Sequence, residues 1–262
     1  MLAKSAISCY GDELFDCMMS QSVVPPLTDR EPGIAIEDSY KISQRFLERR
    51  LTDNGESVVG KKIGVTSDAV QSMLGVFEPD FGFLTDAMQV SEGEISIGNL
   101  IQPRAEAEIA FRLGRTLQGP GITAADVLAA TEAVIPCFEV VDSRIEGWRI
   151  RIQDTVADNA SCGIYVLGCG EADAGTLDLA ACKVTVTKNG EFLSEGFGSA
   201  VQGSPQSAIA WLANTFGKLG MSLNAGEIVL SGSLVPLEPI VAGDTMVMDI
   251  PGLGKTIANF VE

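Results

Sequence analysis

The stretch IQPRAEAEIAFR, residues 101–112, decides the fold. From Arg104 onward it alternates: Ala105, Ala107, Ile109 and Phe111 fall on one face, and Arg104, Glu106, Glu108, Ala110 and Arg112 on the other. A period of two is the signature of a β-strand with one apolar face. Side chains two apart then stand on the same side, roughly 6–7 Å from one another along the strand. Glu106 and Glu108 therefore bring two carboxylates into one small volume, where like charges raise one another's pKa unless water or a cation screens them. The pair alone leaves two readings open, a solvated strand face or part of a cation site.

Composition narrows the choices around that strand. At 262 residues, the chain can bury a substantial core as one large domain or a domain with an appendage. Apolar residues make up 46% and charged residues 20%, as in an ordinary globular protein. The net charge of −17 argues against nucleic acid, whose phosphates need a basic surface. No apolar run approaches the roughly 20 residues of a membrane span. The opening segment MLAKSAISCYGDELFDCMMSQ is acidic and lacks a signal-peptide core, so a cytoplasmic location is expected. Six cysteines without a C-x-x-C pair read as free thiols. There is no histidine, which removes histidine bases, Ser-His-Asp and Cys-His mechanisms, and every His-containing metal site. A metal here would be held by oxygen, as Mg²⁺, Mn²⁺ or Ca²⁺.

Residues 1–56 read as a helical N-terminal region and 57–262 as a β-rich catalytic domain. A helix is expected over Ala6–Met19, broken by Pro25-Pro26, and another from a cap at Asp38 or Ser39 to about Leu51, with Ile42, Phe46 and Leu47 inward. Nothing before Ser57 carries obvious chemistry. Ser57–Thr66 reads as strand; its Lys61 and Lys62 either snorkel to solvent or meet an anion or handle a proton. Ser67–Leu74 is a candidate short helix, and Gly75–Thr85 an aromatic loop carrying Asp80. Thr123 and Asp126 form a capping-box-like start of a helix to about Val134, stopped by Pro136. Cys137–Val141 then makes an apolar strand with one acid, Glu139, costly to bury without a partner and of the kind an oxygen-ligand site would use. Arg144 reads equally as an ion-pair partner or a substrate clamp.

Asp154–Gly163 is dense in short polar residues, as in a structural turn or a backbone cradle for a carboxylate. Asn189-Gly190 signals a tight hairpin between Lys183–Thr187 and Glu191–Leu193. A helix is expected from a Ser204 cap, with Pro205 in its first turn, to Gly220, burying Trp211, Leu212, Thr215, Phe216 and Leu219. Glu227–Gly232, Asp244–Ile250 and Lys255–Val261 read as further strands.

Together the segments GKKIGVTS (60–67), MLGVFEPDFGFLTD (73–86), IQPRAEAEIAF (101–111), PCFEVVDSRI (136–145), DTVADNASCG (154–163), WLANTFG (211–217) and LSGSLVPLEP (230–239) carry a resemblance. The chain resembles the 2-keto-4-pentenoate (2-hydroxypenta-2,4-dienoate) hydratases of aromatic meta-cleavage pathways, within the fumarylacetoacetate hydrolase superfamily, from about Val58 to Phe260. The resemblance implies an α+β fold with a mixed, rolled β core and flanking helices. It implies a cytoplasmic lyase that adds water to 2-hydroxypenta-2,4-dienoate, giving 4-hydroxy-2-oxopentanoate. Mg²⁺ or Mn²⁺ would be held by Glu106, Glu108 and Glu139. Lys62 and Asp80 would handle protons, and Ser161 would meet the substrate carboxylate. A high-order homo-oligomer is implied, with association to 4-oxalocrotonate decarboxylase as a further partner. The alternatives are that decarboxylase activity itself, on 2-oxo-3-hexenedioate, or a non-catalytic partner subunit of the decarboxylase. The superfamily's hydrolases activate water with a histidine, which this chain lacks.

Overall fold

The structure is a computed structural model that describes residues 1–67, 71, 76 and 78–262. The first helices are α1 (Lys4–Ser20), α2 (Leu27–Arg30) and α3 (Ile36–Asp53). Five strands follow: β1 (Val58–Gly64), β2 (Asp80–Thr85), β3 (Gln89–Val90), β4 (Gly93–Ser96) and β5 (Arg104–Leu113). Next come α4 (Ala124–Ala130), β6 (Thr131–Val141), α5 (Ile152–Ala157), β7 (Cys162–Leu167), β8 (Lys183–Lys188) and β9 (Glu191–Phe197). The chain closes with α6 (Pro205–Lys218), β10 (Ile228–Leu230), β11 (Glu238–Pro239), β12 (Thr245–Ile250) and β13 (Gly254–Val261).

The alternating strand is β5, and it lies inside a mixed sheet ordered β2-β1-β10-β5-β6-β7-β3, with β11 also paired to β5. A second sheet runs β4-β13-β12-β8-β9. One face of β5, carrying Ala105, Ala107, Ile109 and Phe111, joins the main core with Val184, Met246, Met248 and Phe260 of the second sheet and Ile209, Leu212 and Phe216 of α6. The other face turns inward on itself: Ala110 meets Leu84, Ile135, Cys137, Tyr165 and Leu230. The fold is thus α+β with a mixed, rolled β core. Burying both faces explains why even the polar face of β5 carries two side chains with no exposure, Glu108 and Ala110. The N-terminal helices close over a smaller core of their own, where Leu14, Phe15, Ile42 and Phe46 pack with Ile145 and Ala157. Among the described residues, no helix is long and apolar enough to cross a membrane.

The Asn189-Gly190 hairpin forms as expected, both residues in the left-handed region (φ 55° and 83°). Ser204 caps α6 by accepting the Ser207 N–H, with Pro205 as first helical residue. Elsewhere the structure departs from expectation. Asp38 does not cap α3, which begins at Ile36; its buried carboxylate accepts the Leu2 N–H at 2.8 Å instead. The Thr123–Asp126 capping box is present, but α4 ends at Ala130 and Pro136 lies within β6. Thr131 turns the chain there, its hydroxyl donating to the Val127 carbonyl, so the apolar run Ala133–Val141 is all strand. Asp80–Thr85 is a strand, not a loop, paired along β1. Asp154–Ala157 belongs to a short helix that begins at Ile152, and only the residues after it form the turn. Leu219, one residue past α6, is 58% exposed. The helix expected over Ser67–Leu74 falls outside the described residues, Ser67 and Gln71 apart.

Candidate active site

The antiparallel register of β5 and β6 sets Glu106 directly across from Glu139, and Glu108 across from Cys137. Cross-strand partners share a face, as do residues two apart, so all three glutamates project together. Each offers an oxygen, and these oxygens lie within 4.8 Å of one another. Glu108 and Glu139 are buried and Glu106 half-buried. Glu108 Oε2 accepts the backbone N–H of Gly232 at 2.8 Å. Glu108 Oε1 and both Glu139 oxygens accept no hydrogen bond from any described residue. Buried carboxylate oxygens left this way are costly unless something positive meets them. The all-oxygen donor set and its surplus of negative charge fit a hard divalent cation.

The acids also bear on one another. Burial, reinforced by the Glu139 charge and opposed by Lys62, pushes the Glu106 carboxyl up to about 7. Burial and the charges of Glu139 and Glu106 push Glu108 well above the usual carboxylate range.

β1 and β2 bring in the other two candidates. Lys62 pairs with Gly82 and Gly64 with Asp80. Lys62 Nζ lies 3.2 Å from Glu139 Oε1, both side chains buried. Burial disfavours the Lys62 ammonium, but Glu139, Glu106 and Asp80 outweigh it and hold its pKa above that of an ordinary lysine. Asp80, 1% exposed, is pushed up to about 6 by burial, with Lys62 pulling it down and Glu139 adding to the rise. Gly64 is where the two meet: a Cβ there would overlap Asp80 Oδ1 and stand 3.6 Å from Lys62 Nζ. Lys61, on the opposite side of the strand, pairs with Glu227 and takes no part.

After α5, Asn159, Ala160 and Ser161 all adopt left-handed backbone (φ 54°, 51° and 54°). Asn159 holds this turn against β2, accepting the Phe83 N–H at 2.8 Å and donating to the Phe83 carbonyl at 3.0 Å. Arg144 is a structural ion-pair partner: it bonds the Asp158 carboxylate and the carbonyls of Asp158 and Cys162. Ser161 is buried with its hydroxyl 3.2 Å from Thr155 Oγ1. The next residue, Cys162, sets its sulfur 3.0 Å from where a Gly82 Cβ would stand, and Gly82 is the neighbour of Lys62. The sequence reading assigned no role to Gly64 or Gly232. Gly232 has φ 108°, and a Cβ there would run into Thr66; only its place in the LSGS segment hinted at a constrained backbone.

A rolled mixed sheet carrying a Glu-x-Glu strand opposite a third glutamate defines the class. The sequence model of the family "Fumarylacetoacetate (FAA) hydrolase C-terminal" matches residues 74–261, and the chain belongs to that family. Among its relatives, the 2-hydroxyhexa-2,4-dienoate hydratase of Comamonas testosteroni is 53% identical over 265 residues, covering 100% of both chains. The 2-hydroxypent-2,4-dienoate hydratase of Pseudomonas putida is 59% identical over 221 residues, 84% of this chain and 99% of the relative. Among solved structures, 4-oxalocrotonate decarboxylase from Pseudomonas putida G7, complexed with magnesium and adipate, superposes with a TM-score of 0.95 at 33% identity, covering 100% of this chain and 99% of that one.

Proposed function

We propose that this protein is a divalent-metal-dependent hydratase that adds water to 2-hydroxypenta-2,4-dienoate, giving 4-hydroxy-2-oxopentanoate in the catabolism of aromatic compounds by meta-cleavage. The observation that carries it is the convergence of Glu106, Glu108 and Glu139 beside Lys62 and Asp80, in a chain that matches hydratases from end to end. The three glutamates would hold Mg²⁺ or Mn²⁺. Such an ion supplies Lewis acidity toward the substrate's C1 carboxylate and C2 oxygen.

The chain's own residues would do the rest. A proton delivered to C5 of the dienol turns it into an unsaturated 2-oxo acid, and the C2 hydroxyl gives up its proton. Water then adds across the remaining double bond, its oxygen to C4 and a proton to C3. Lys62 and Asp80, buried beside the glutamates, would give and take these protons. Asp80, with its pKa near 6, can do either close to neutral pH. Ser161 and the left-handed turn around it would anchor the substrate carboxylate. A cytoplasmic homo-oligomer, able to associate with the decarboxylase of the same route, belongs to this reading.

The decarboxylase alternative is favoured by one observation, the near-superposition on 4-oxalocrotonate decarboxylase, but identity to that protein is 33% against 53% and 59% to the two hydratases. The test is loss of dienoate ultraviolet absorbance with Mg²⁺ or Mn²⁺, repeated with chelator, the product weighed by mass spectrometry. Metal-dependent gain of one water supports the hydratase. Release of CO₂ from 4-oxalocrotonate, with no turnover of the dienoate, replaces it with the decarboxylase. Turnover of neither substrate by the protein alone leaves the partner-subunit reading.

A further inference from the structure

We infer that Arg104, stacked over Trp148, is a further cation that meets the substrate's single carboxylate at the mouth of the site, beside the metal ion and Ser161. The inference rests on the functional reading above and names a residue for its anionic substrate.

Arg104 lies two residues before Glu106, on the same strand and therefore the same face. Along that face burial deepens inward: Arg104 and Glu106 are half-buried, Glu108 and Ala110 fully buried. Beside the glutamates, the Arg104 end of that face is the less buried one. The guanidinium carbon stands 4.6 Å from the centre of the Trp148 ring. Stacking occupies the flat face of a guanidinium and leaves its in-plane N–H donors free to bind.

Among the described residues those donors meet no acceptor. Arg50, Arg112 and Arg144 each meet a carboxylate, whereas among the described residues Arg104 makes no ion pair and no hydrogen bond. The acids nearby are engaged elsewhere. Asp142 accepts the N–H groups of Ile101 and Gln102, and Glu238, paired with Ala105 across β11, bonds Lys188 at 3.0 Å. The platform itself is held fast. Trp148 sits in left-handed backbone (φ 56°), which a tryptophan rarely adopts, and its Nε1–H donates to the Gln102 carbonyl at 3.0 Å. Local strain of this kind is maintained where the surroundings impose it, and here the outcome is a guanidinium stacked on an anchored ring, its fork unpaired among the described residues.

Charge balance asks for such a group. Three glutamates already balance one divalent cation and Lys62, with Asp80 beside them, so the substrate's carboxylate adds a negative charge that the cluster leaves uncompensated even when the ion meets it. The chain's net charge of −17 also repels an anion until a local cation takes over. A guanidinium binds a carboxylate through two parallel N–H···O bonds, so Arg104 would fix the substrate's direction as well as its charge.

The test is equilibrium binding of 2-oxopentanoate, an unreactive 2-oxo acid, to the Mn²⁺-loaded protein, beside separate titration of Mn²⁺ into metal-free protein. Arg104→Met should weaken 2-oxopentanoate by about ten- to a hundred-fold, as expected for a lost charge-assisted hydrogen bond, and leave Mn²⁺ affinity unaltered. Arg104→Lys should recover part of the loss, and Trp148→Leu, with Arg104 intact, should give a smaller loss of the same sign. In turnover the Arg104→Met loss should appear in KM more than in kcat. Unchanged 2-oxopentanoate binding in Arg104→Met, or in Arg104→Lys should the methionine variant not fold, overturns the inference. Equal loss of Mn²⁺ and 2-oxopentanoate affinity overturns it too, since that is the mark of a structural residue. Failure of the wild type to hydrate the dienoate would instead remove the functional reading, and the two failures are read from different experiments.

Discussion

Gly64 is the residue in the site with the least room to change. Its missing side chain lets the Asp80 carboxyl lie over the β1 backbone beside Lys62. Gly64→Ala would drive a methyl group into Asp80 Oδ1 while leaving Glu106, Glu108 and Glu139 on their own strands. We expect kcat to fall by about a hundred-fold, the worth of one misplaced acid–base group, with Mg²⁺ affinity kept. Calorimetric metal titration and steady-state turnover of the same sample decide it; a normal kcat would mean Asp80 does not handle the proton. The acids and the lysine were legible because their types carry chemistry: two glutamates in alternation, one glutamate in an apolar strand, a lysine too costly to bury alone. Gly64 and Gly232 were not. A glycine's role is set by what approaches it, and neither Asp80 over Gly64 nor Glu108 at the Gly232 amide is visible until strands distant in the chain are paired.

Among the elements, those with a strong period or strong punctuation were readable, and those set by tertiary contact were not. β5 alternates, the β8–β9 hairpin carries Asn-Gly, and α6 has a serine cap followed by proline. β2 escaped notice because Gly82 and the preceding Pro79 resemble loop punctuation, whereas its strand form comes from pairing with β1 and from Asn159 bonding both polar groups of Phe83. The α4–β6 boundary was misplaced because Ala124–Val134 has no break in composition; the turn is made by Thr131. The left-handed turn after α5 likewise depends on a long-range partner. Arg144 reaches back from the end of β6 to bond the Asp158 carboxylate and carbonyl, and stacks 5.3 Å from the Phe46 ring of α3. This one side chain ties the turn bearing Ser161 to the N-terminal helices. Arg144→Met would leave the Asp158 charge buried and unpaired, which typically costs about 3–5 kcal/mol. Urea unfolding of metal-free protein should show a loss of that order, and a loss within experimental error would mean the turn is held by Asn159 instead.

For the molecule as a whole, the sequence already implied a β-rich acidic protein without histidine chemistry. The rolled sheet adds a consequence that only the assembled site reveals, because it collects four carboxyl groups around one lysine. Burial raises Asp80 from 3.8 to about 6 and Glu106 from 4.5 to about 7, and Glu108 moves the same way. In metal-free protein the folded state therefore holds protons that the unfolded chain releases. With more protons bound in the folded state, stability falls as pH rises. This contribution is fully present below about pH 4, near the unfolded values, and is lost as pH climbs through 6 to 7. A divalent cation needs the carboxylates ionised, so its stabilising effect has the opposite slope. Thermal unfolding from pH 5 to 8 should show the metal-free Tm falling and the Mg²⁺-induced rise in Tm growing. General self-repulsion of an acidic chain also lowers Tm with pH, so the site's share is read by difference. Glu106→Gln, which keeps the shape and removes one titrating group, should flatten the metal-free slope between about pH 5 and 7 and sharply reduce the Mg²⁺ effect at every pH. A metal-free slope identical to that of the wild type would mean that Glu106 does not take up its proton on folding.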